Sequence, residues 1–399
     1  MAAKINLRTV RDLDLTNKKV LVRLDLNVPI KKGVISDDTR IREAIPTIKF
    51  LLEHTNKIVL CSHLGRPDGA PDLKYSLEPV GARLAELLDV EVIFVNNYQD
   101  EPVDQMLNTI GKNQLVLLEN LRFHPGETSN DVEFARTLAK GIDFYVNDAF
   151  GTAHRAHAST VGVPELLAAD RRAAGFLIEK EIEALSSVLA DPAGPFTVVM
   201  GGSKVSDKIG VILSLLNKCH HLVIGGAMAY TFLKYKGVNV GSSRVESDRM
   251  DLVESIFRNA EARNVKIHLP VDHGCASSFT ETAKREDIDT PEIPEGLMGL
   301  DIGDKTIRAY SEIVRTSRTV LWNGPMGVFE WPAFAKGSLA IAKAMTECNG
   351  KTVIGGGDSV SVVNMAGVAS QMTHVSTGGG ASLEFIEGKI LPGIKVLQK

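Results

Sequence analysis

A chain of 399 residues with 44% hydrophobic and 24% charged residues is long enough for two or three domains, each burying its own core. A formal net charge of −4 excludes a general nucleic-acid binder, whose footprint is strongly basic. MAAKINLRTV lacks the apolar centre of a signal peptide, no run approaches a membrane span, and the four cysteines (Cys61, Cys219, Cys275 and Cys348) form no C-x-x-C pair, so a cytoplasmic enzyme in a reducing compartment is expected.

In chain order, strands are predicted at KVLVRLDLNV (19–28), KIVLCSH (57–63), EVIFVNN (91–97), QLVLLEN (114–120) and DFYVND (143–148). Each is almost continuously apolar, as strands covered on both faces are. Between them lie helical patterns such as IREAIPTIKFLLEHT and LEPVGARLAELL. Strands alternating with helices imply a parallel sheet with right-handed crossovers and ligands beyond the strands' carboxyl ends. There the first half ends its runs in polar groups: Arg23, Asp25, Asn27, His63, Arg66, Asn120, Arg122, Asn147 and Asp148.

Residues 176–189 form an amphipathic helix with Ile178, Ile182, Leu185 and Leu189 on one stripe, closed by DPAGP (191–195) and expected to connect two domains. From Thr197 the apolar runs end in glycine instead: VVMGGSKVSDK (198–208), LVIGGAMAY (222–230), VLWNGPMGVFE (320–330), TVIGGGDSV (352–360) and HVSTGGGAS (374–382). Glycine turns that open helices cradle phosphates through bare N–H groups. Clustered Arg and His grip a smaller anion. One half therefore suits a nucleotide and the other an acidic small molecule.

Each segment also has a plainer reading. Lys204 and Lys208 are four apart, so in a helix their ammonium groups share a face near its N-terminus; a tight turn followed by solvated lysines has the same sequence. Asp358 suits a magnesium–phosphate unit, with Ser359 offering a hydroxyl, or is an ordinary N-cap. GGAMA and NGPMGVFE suit adenine and ribose in an apolar slot rimmed by Glu330, or are core turns. Among Arg23, Arg40, His63, Arg66, Arg122, Arg155 and His157, one arginine alone is a solvated side chain, but several at one sheet edge repel unless an anion sits among them. A carboxylate acceptor needs no general base, so the histidines are expected to position and donate hydrogen bonds.

VRLDLNVP, SHLGRP, LLENLRFHPGE, YVNDAFGTAHRAHAST, GGSKVSDKI, NGPMGVFE, GGGDS and STGGGAS, in that order, resemble the signatures of phosphoglycerate kinases from about Val20 to Gly388. The resemblance implies reversible phosphoryl transfer between ATP and the carboxylate of 3-phosphoglycerate, in line and in a closed cleft. It implies an α/β fold of two Rossmann-like domains, each a parallel sheet with helices on both faces, facing a central cleft. The expected division is an N-terminal phosphoglycerate-binding domain (1–175), a connecting helix and hinge (176–195), a C-terminal nucleotide-binding domain (196–380) and a tail (381–399) returning to the first domain. Matching positions for phosphoglycerate are Asp25, Asn27, Arg40, His63, Leu64, Gly65, Arg66, Arg122 and Arg155. For the nucleotide they are Gly202, Lys208, Gly226, Asn323, Pro325, Glu330, Gly356, Gly357, Asp358 and Ser359, with Asp358 on Mg²⁺. Arg40, Lys204, Lys208, Gly357 and Gly380 would act on the transferring group. A monomer with small-molecule substrates, without nucleic acid or membrane partners, is expected. PVDHGCASSF (270–279) departs from the family, where apolar residues are usual around its centre, and little effect on the chemistry is expected.

Two other functions share the architecture. A nicotinamide dehydrogenase needs G-x-G-x-x-G with an acidic residue about 20 positions on, and here Val360 stands where the third glycine belongs. A non-catalytic anion-binding protein accounts for the arginines but not for GGGDS or the paired lysines.

Overall fold

The structure, a computed structural model, describes residues 5–67 and 69–399; the first four positions of the expected N-terminal domain lie outside the described residues. The chain divides into two compact units, residues 5–183 with Ile390–Lys399, and Ala184–Lys389.

The first unit holds β1 (Val20–Leu24), β2 (Ile58–Cys61), β3 (Glu91–Val95), β4 (Gln114–Leu118), β5 (Phe144–Asp148) and β6 (Arg172–Ala174). They form one parallel sheet in the order β3-β4-β2-β1-β5-β6. β1 and β2 are buried along their whole length, which is why their sequences carry no polar alternation. Val20, Val22, Leu24, Ile58, Leu60, Leu115, Leu117 and Val146 form the centre of the core. In the helix Thr39–His54, Ile41, Ala44, Ile48 and Leu51 recur at three- and four-residue spacing and are buried. The chain runs from β1 to one side and later continues from β5 to the other. The ends of β1 and β5 therefore flank the topological switch point. β1 is shorter than predicted, so Asp25 and Asn27 leave it in a loop.

The second unit holds β7 (Phe196–Met200), β8 (His221–Ile224), β9 (Lys266–His268), β10 (His273–Ala276), β11 (Glu286–Ile288), β12 (Met298–Ile302), β13 (Thr319–Asn323), β14 (Lys351–Gly355) and β15 (His374–Val375). Its main sheet is parallel in the order β9-β8-β7-β13-β14-β15, with β7 and β13 at the switch point. A three-stranded antiparallel sheet, β11-β10-β12, accompanies it. Val199, Val223, Val320, Trp322 and Ile354 centre this core.

The helix Phe176–Ala190 carries the division between units, which falls at Glu183/Ala184. The boundary expected at 381 lies later. Residues 381–389 stay with the second unit, because the helix Gly380–Ile386 packs on Ile209–Leu215, with Ser214 Oγ donating to the Ile386 carbonyl at 2.9 Å. Only Ile390–Lys399 belongs with the first unit, tied by Gly393 N–H to Ala153 O at 2.9 Å and Lys399 N–H to Asn6 O at 3.0 Å. Among the described residues no helix is long and apolar enough to cross a membrane.

Candidate functional site

In the first unit the predicted cations gather around the ends of β1, β2 and β4, in two layers. Arg23 is not at the mouth, as expected, but fully buried. It donates from Nε to Ser159 Oγ at 2.9 Å, from Nη1 to the Leu24 carbonyl, and from Nη2 to His63 Nδ1 at 3.1 Å. A guanidinium only donates, so Nδ1 of His63 accepts and its proton sits on Nε2, available as a donor. Burial, then Arg23, Arg122, Arg40 and His157, holds His63 well below the ordinary 6.5. Burial, then Arg122, Arg23 and Arg155, takes His157 down to about 4. Burial, then Arg23, takes Arg122 down to about 10. Both histidines are therefore held neutral at pH 7.

Arg40, in the first turn of its helix, pairs with the buried Asp25 at 2.6 Å. Arg122 donates from Nη1 to Gly65 O at 2.8 Å. Gly65 N–H donates to Asn27 Oδ1 at 2.8 Å. Arg66 and Arg155 are exposed. Leu64 is a core residue: Asn120 takes both its N–H, at 3.2 Å, and its carbonyl, at 2.7 Å. Asn147 and Asp148 also turn inward. Asn147 Oδ1 accepts from Ala149 N–H at 3.0 Å, and Asp148 Oδ1 caps the helix Phe176–Ala190 through Leu177 N–H at 2.8 Å and Ile178 N–H at 3.2 Å. Burial raises the Asp148 carboxyl to about 7.

Sequence reasoning missed Glu127. It is fully buried and accepts from Ser159 Oγ at 2.6 Å and Ser159 N–H at 3.0 Å, and it lies 3.7 Å from His157 Nδ1. Its carboxylate and Asp25 face four guanidinium groups, Arg23, Arg40, Arg122 and Arg155, so the site keeps a positive excess. The available signal was a carboxylate closing LLENLRFHPGE.

In the second unit three strand-end turns interlock at the switch point. Gly202 N–H donates to Pro325 O at 3.0 Å, Gly226 N–H to Met326 O at 2.9 Å, and Met228 N–H to Gly202 O at 3.0 Å. Gly226 has φ 64°, and a Cβ there would stand 2.5 Å from Gly202 N, so only glycine closes this knot. Lys208 donates to Asn323 Oδ1. Burial holds its ammonium below the ordinary value, with Asp358 and Asp207 acting the other way. Asn323 Nδ2, a buried donor, has no hydrogen-bond partner.

The shared helical face of Lys204 and Lys208 is not formed. The helix begins at Ile209, Lys208 is its N-cap, and Lys204 sits in a preceding loop. Glu246, another residue sequence reasoning missed, fixes that loop by accepting from Val205 N–H at 2.5 Å and Ser206 Oγ at 2.6 Å. Asp358 is not an N-cap either: Gly356 caps the helix Gly357–Met365, and Gly357 and Asp358 are exposed in its first turn. Ser359 is buried, and its Oγ accepts from Gly324 N–H at 2.6 Å. Gly380 begins the helix Gly380–Ile386 and is exposed.

A cavity of about 440 Å³ is lined by Gly202, Asp358 and the apolar Ala227, Met298, Leu300 and Phe329, with Glu330 exposed in its wall. The size suits a nucleoside. Phe279 also lines it, with its ring 4.6 Å from that of Trp331, so the 270–279 segment reaches this cavity.

Two doubly wound parallel sheets, each with its polar or glycine-lined turns at the switch point, put the chain among the α/β proteins that bind ligands at the carboxyl ends of their strands. The family model described as phosphoglycerate kinase matches residues 10–389. The chain is 51% identical over 395 residues to a phosphoglycerate kinase of Anaeromyxobacter sp. (strain Fw109-5), covering 98% of this chain and 99% of that one. It is 49% identical to that of Borrelia hermsii, covering 99% and 100%. The solved phosphoglycerate kinase of Coxiella burnetii superposes with a TM-score of 0.87 at 39% identity, and that of Pyrococcus horikoshii with 0.82 at 33%, each covering 98% of both chains. The chain belongs to the phosphoglycerate kinase family. It is a phosphotransferase that moves a phosphoryl group reversibly between ATP and the carboxylate of 3-phosphoglycerate, a step of glycolysis.

Proposed function

We propose that the two sheet edges divide the substrates of this reaction. The acid is held by Asp25, Asn27, His63, Gly65, Arg66, Arg122 and Arg155, with Arg40 at its carboxylate end. The nucleotide is held by the turns at Gly202, Gly226, Asn323 and Pro325 and by Gly356 to Ser359, its base against the apolar lining of the cavity and Glu330 at the ribose. The single observation that carries this reading is the orphaned Asn323 Nδ2, a buried donor without a partner, on the same side chain that accepts from the half-buried, desolvated Lys208 ammonium.

The acceptor carboxylate is already ionised at neutral pH, so no residue has to remove a proton. The difficulty is bringing two anions together. Arg40, Lys204, Lys208 and the amides at Gly357 and Gly380 supply preorganised positive potential for the charge spread over the equatorial oxygens during in-line transfer. Mg²⁺ is the metal this chemistry calls for. Asp358 fits it, because the ion takes few carboxylates and completes its shell with phosphate oxygens and water. When bound, the ion neutralises charge on the nucleotide phosphates. Because donor and acceptor bind on separate units, transfer requires the reacting atoms to be brought together and water to be expelled, with hinging near residues 176–195. The enzyme acts as a cytoplasmic monomer.

Arg122→Ala should raise KM for 3-phosphoglycerate and leave that for ATP unchanged, while Asn323→Ala does the reverse. Crossed effects in a coupled assay would overturn the division. An unchanged radius of gyration on adding both substrates, read by small-angle scattering, would remove the hinge.

A further inference from the structure

The apolar lining of the nucleotide cavity is backed by an ion pair between the half-buried Arg285 and the buried Asp301 that lies in none of the catalytic motifs. Arg285 donates from Nη1 to Asp301 Oδ2 at 2.9 Å and to the Ala333 carbonyl at 2.9 Å, and from Nε to Asp287 Oδ1 at 2.8 Å. Its guanidinium carbon lies 5.9 Å from the centre of the Phe334 ring. Asp301 has no exposed side-chain surface, and its carboxylate also accepts from Ile302 N–H at 2.9 Å and Gly337 N–H at 3.0 Å. The residue before it, Leu300, lines the cavity, and the Leu300 carbonyl accepts from Val328 N–H at 2.9 Å. Arg285 thus ties β12 to residues 333–334, and β12 in turn holds the cavity-lining 327–330 turn through the Leu300 carbonyl.

Room for the guanidinium comes from Gly274. A Cβ there would stand 2.5 Å from Arg285 Nη2. Gly274 sits where the pairing of β10 with β12 shifts register. It lies in the 270–279 segment whose Phe279 lines the cavity. An apolar side chain at 274 and an arginine seated on it exclude each other.

We propose that Arg285, seated on Gly274, is a positioning residue for the nucleotide: by holding Asp301 and residues 333–334 it sets the width of the slot that takes the base. The proposal rests on the nucleotide reading of this cavity given above.

The test is calorimetric titration of the full chain with ADP, with steady-state kinetics alongside. Arg285→Met should weaken ADP binding about tenfold, while kcat and KM for 3-phosphoglycerate stay within about twofold. Arg285→Lys keeps the charge without the fork and should recover part of the loss. Gly274→Val displaces the same guanidinium and should weaken ADP as much, and the double variant should be no worse than either single one. If Gly274→Val does not fold, Gly274→Ala gives the same reading with a smaller displacement. Parent-like ADP affinity in folded Arg285→Met, whatever its Tm, would overturn the proposal, as would additive losses in the double variant. Ala227→Trp, which fills the cavity, separates the two claims. Undiminished ADP binding in that variant sinks the nucleotide reading and this proposal together. Loss of ADP binding there, with none in Arg285→Met, sinks the proposal alone.

Discussion

The edge of the first sheet gathers charge on side chains, whereas the edge of the second packs glycine turns against one another around one desolvated lysine. The first solution needs internal counterions. Asp25 and Glu127 sit within the arginine cluster, and burial with the surrounding cations keeps His63 and His157 neutral. The second needs close approach, and glycine supplies it where three turns interlock at Gly202, Gly226 and Pro325. A small acid is recognised by directed forks and a polyphosphate tail by a concave run of N–H groups.

The largest expected effect tests whether both edges act on the same transition state. Lys208→Ala and Arg40→Ala should each lower kcat by at least about 10²–10³. Near-parent turnover in either variant takes that edge out of the transfer step. Next comes the backbone edge alone. Gly226→Val puts a branched side chain at a left-handed φ against Gly202, and should cost about 3 kcal/mol or more in urea unfolding of the second unit and abolish ADP binding. 3-Phosphoglycerate binding should persist, and retained ADP affinity would show that the interlocked turns do not form the phosphate cradle.

A smaller effect concerns the first edge's counterion. Glu127→Gln removes the negative charge beneath the cluster and should cost about 1–3 kcal/mol of stability. Added sulfate or 3-phosphoglycerate should stabilise the variant more than the parent, because an anion replaces what was lost. Equal stabilisation would mean that the cluster does not depend on Glu127.

The smallest effect is in pH dependence. His157 has a folded value of about 4 against an ordinary 6.5, so between these the unfolded chain takes up a proton that the folded one refuses. Its contribution is present above 6.5 and is lost on acidification toward 4. Asp148, at about 7 against an ordinary 3.8, works oppositely: the folded chain keeps a proton the unfolded one has released, so stability falls as pH rises across that window. His157→Gln should therefore flatten the loss of urea midpoint on acidification, and Asp148→Asn should steepen it, each by no more than about 1.4 kcal/mol per pH unit. Superimposable profiles for the parent and both variants would remove these two groups as the source.

Much of the architecture is local in origin. β1, β2, β4, β5 and the helix Phe176–Ala190 lie where continuous apolar runs and 3.6-residue periodicity put them. The glycine turns follow their strands for the same reason: a chain leaving a buried strand must change direction at once, and glycine permits it. What the spacing of Lys204 and Lys208 could not reveal is that Glu246, some 40 positions away, holds their loop out of helical form. Nor could local pattern separate Arg23, buried under His63, from Arg155 at the surface, since burial depends on strands and loops distant in sequence. The residue types and their order along the chain follow from the sequence alone. Which cation faces the ligand, which one supports it from behind, and which carboxylate balances the charge depend on contacts between segments more than 100 residues apart in the case of Arg23 and Ser159. Only packing brings such segments together, because hydrogen bonds and ion pairs act over a few ångströms and spacing along the chain does not encode that distance.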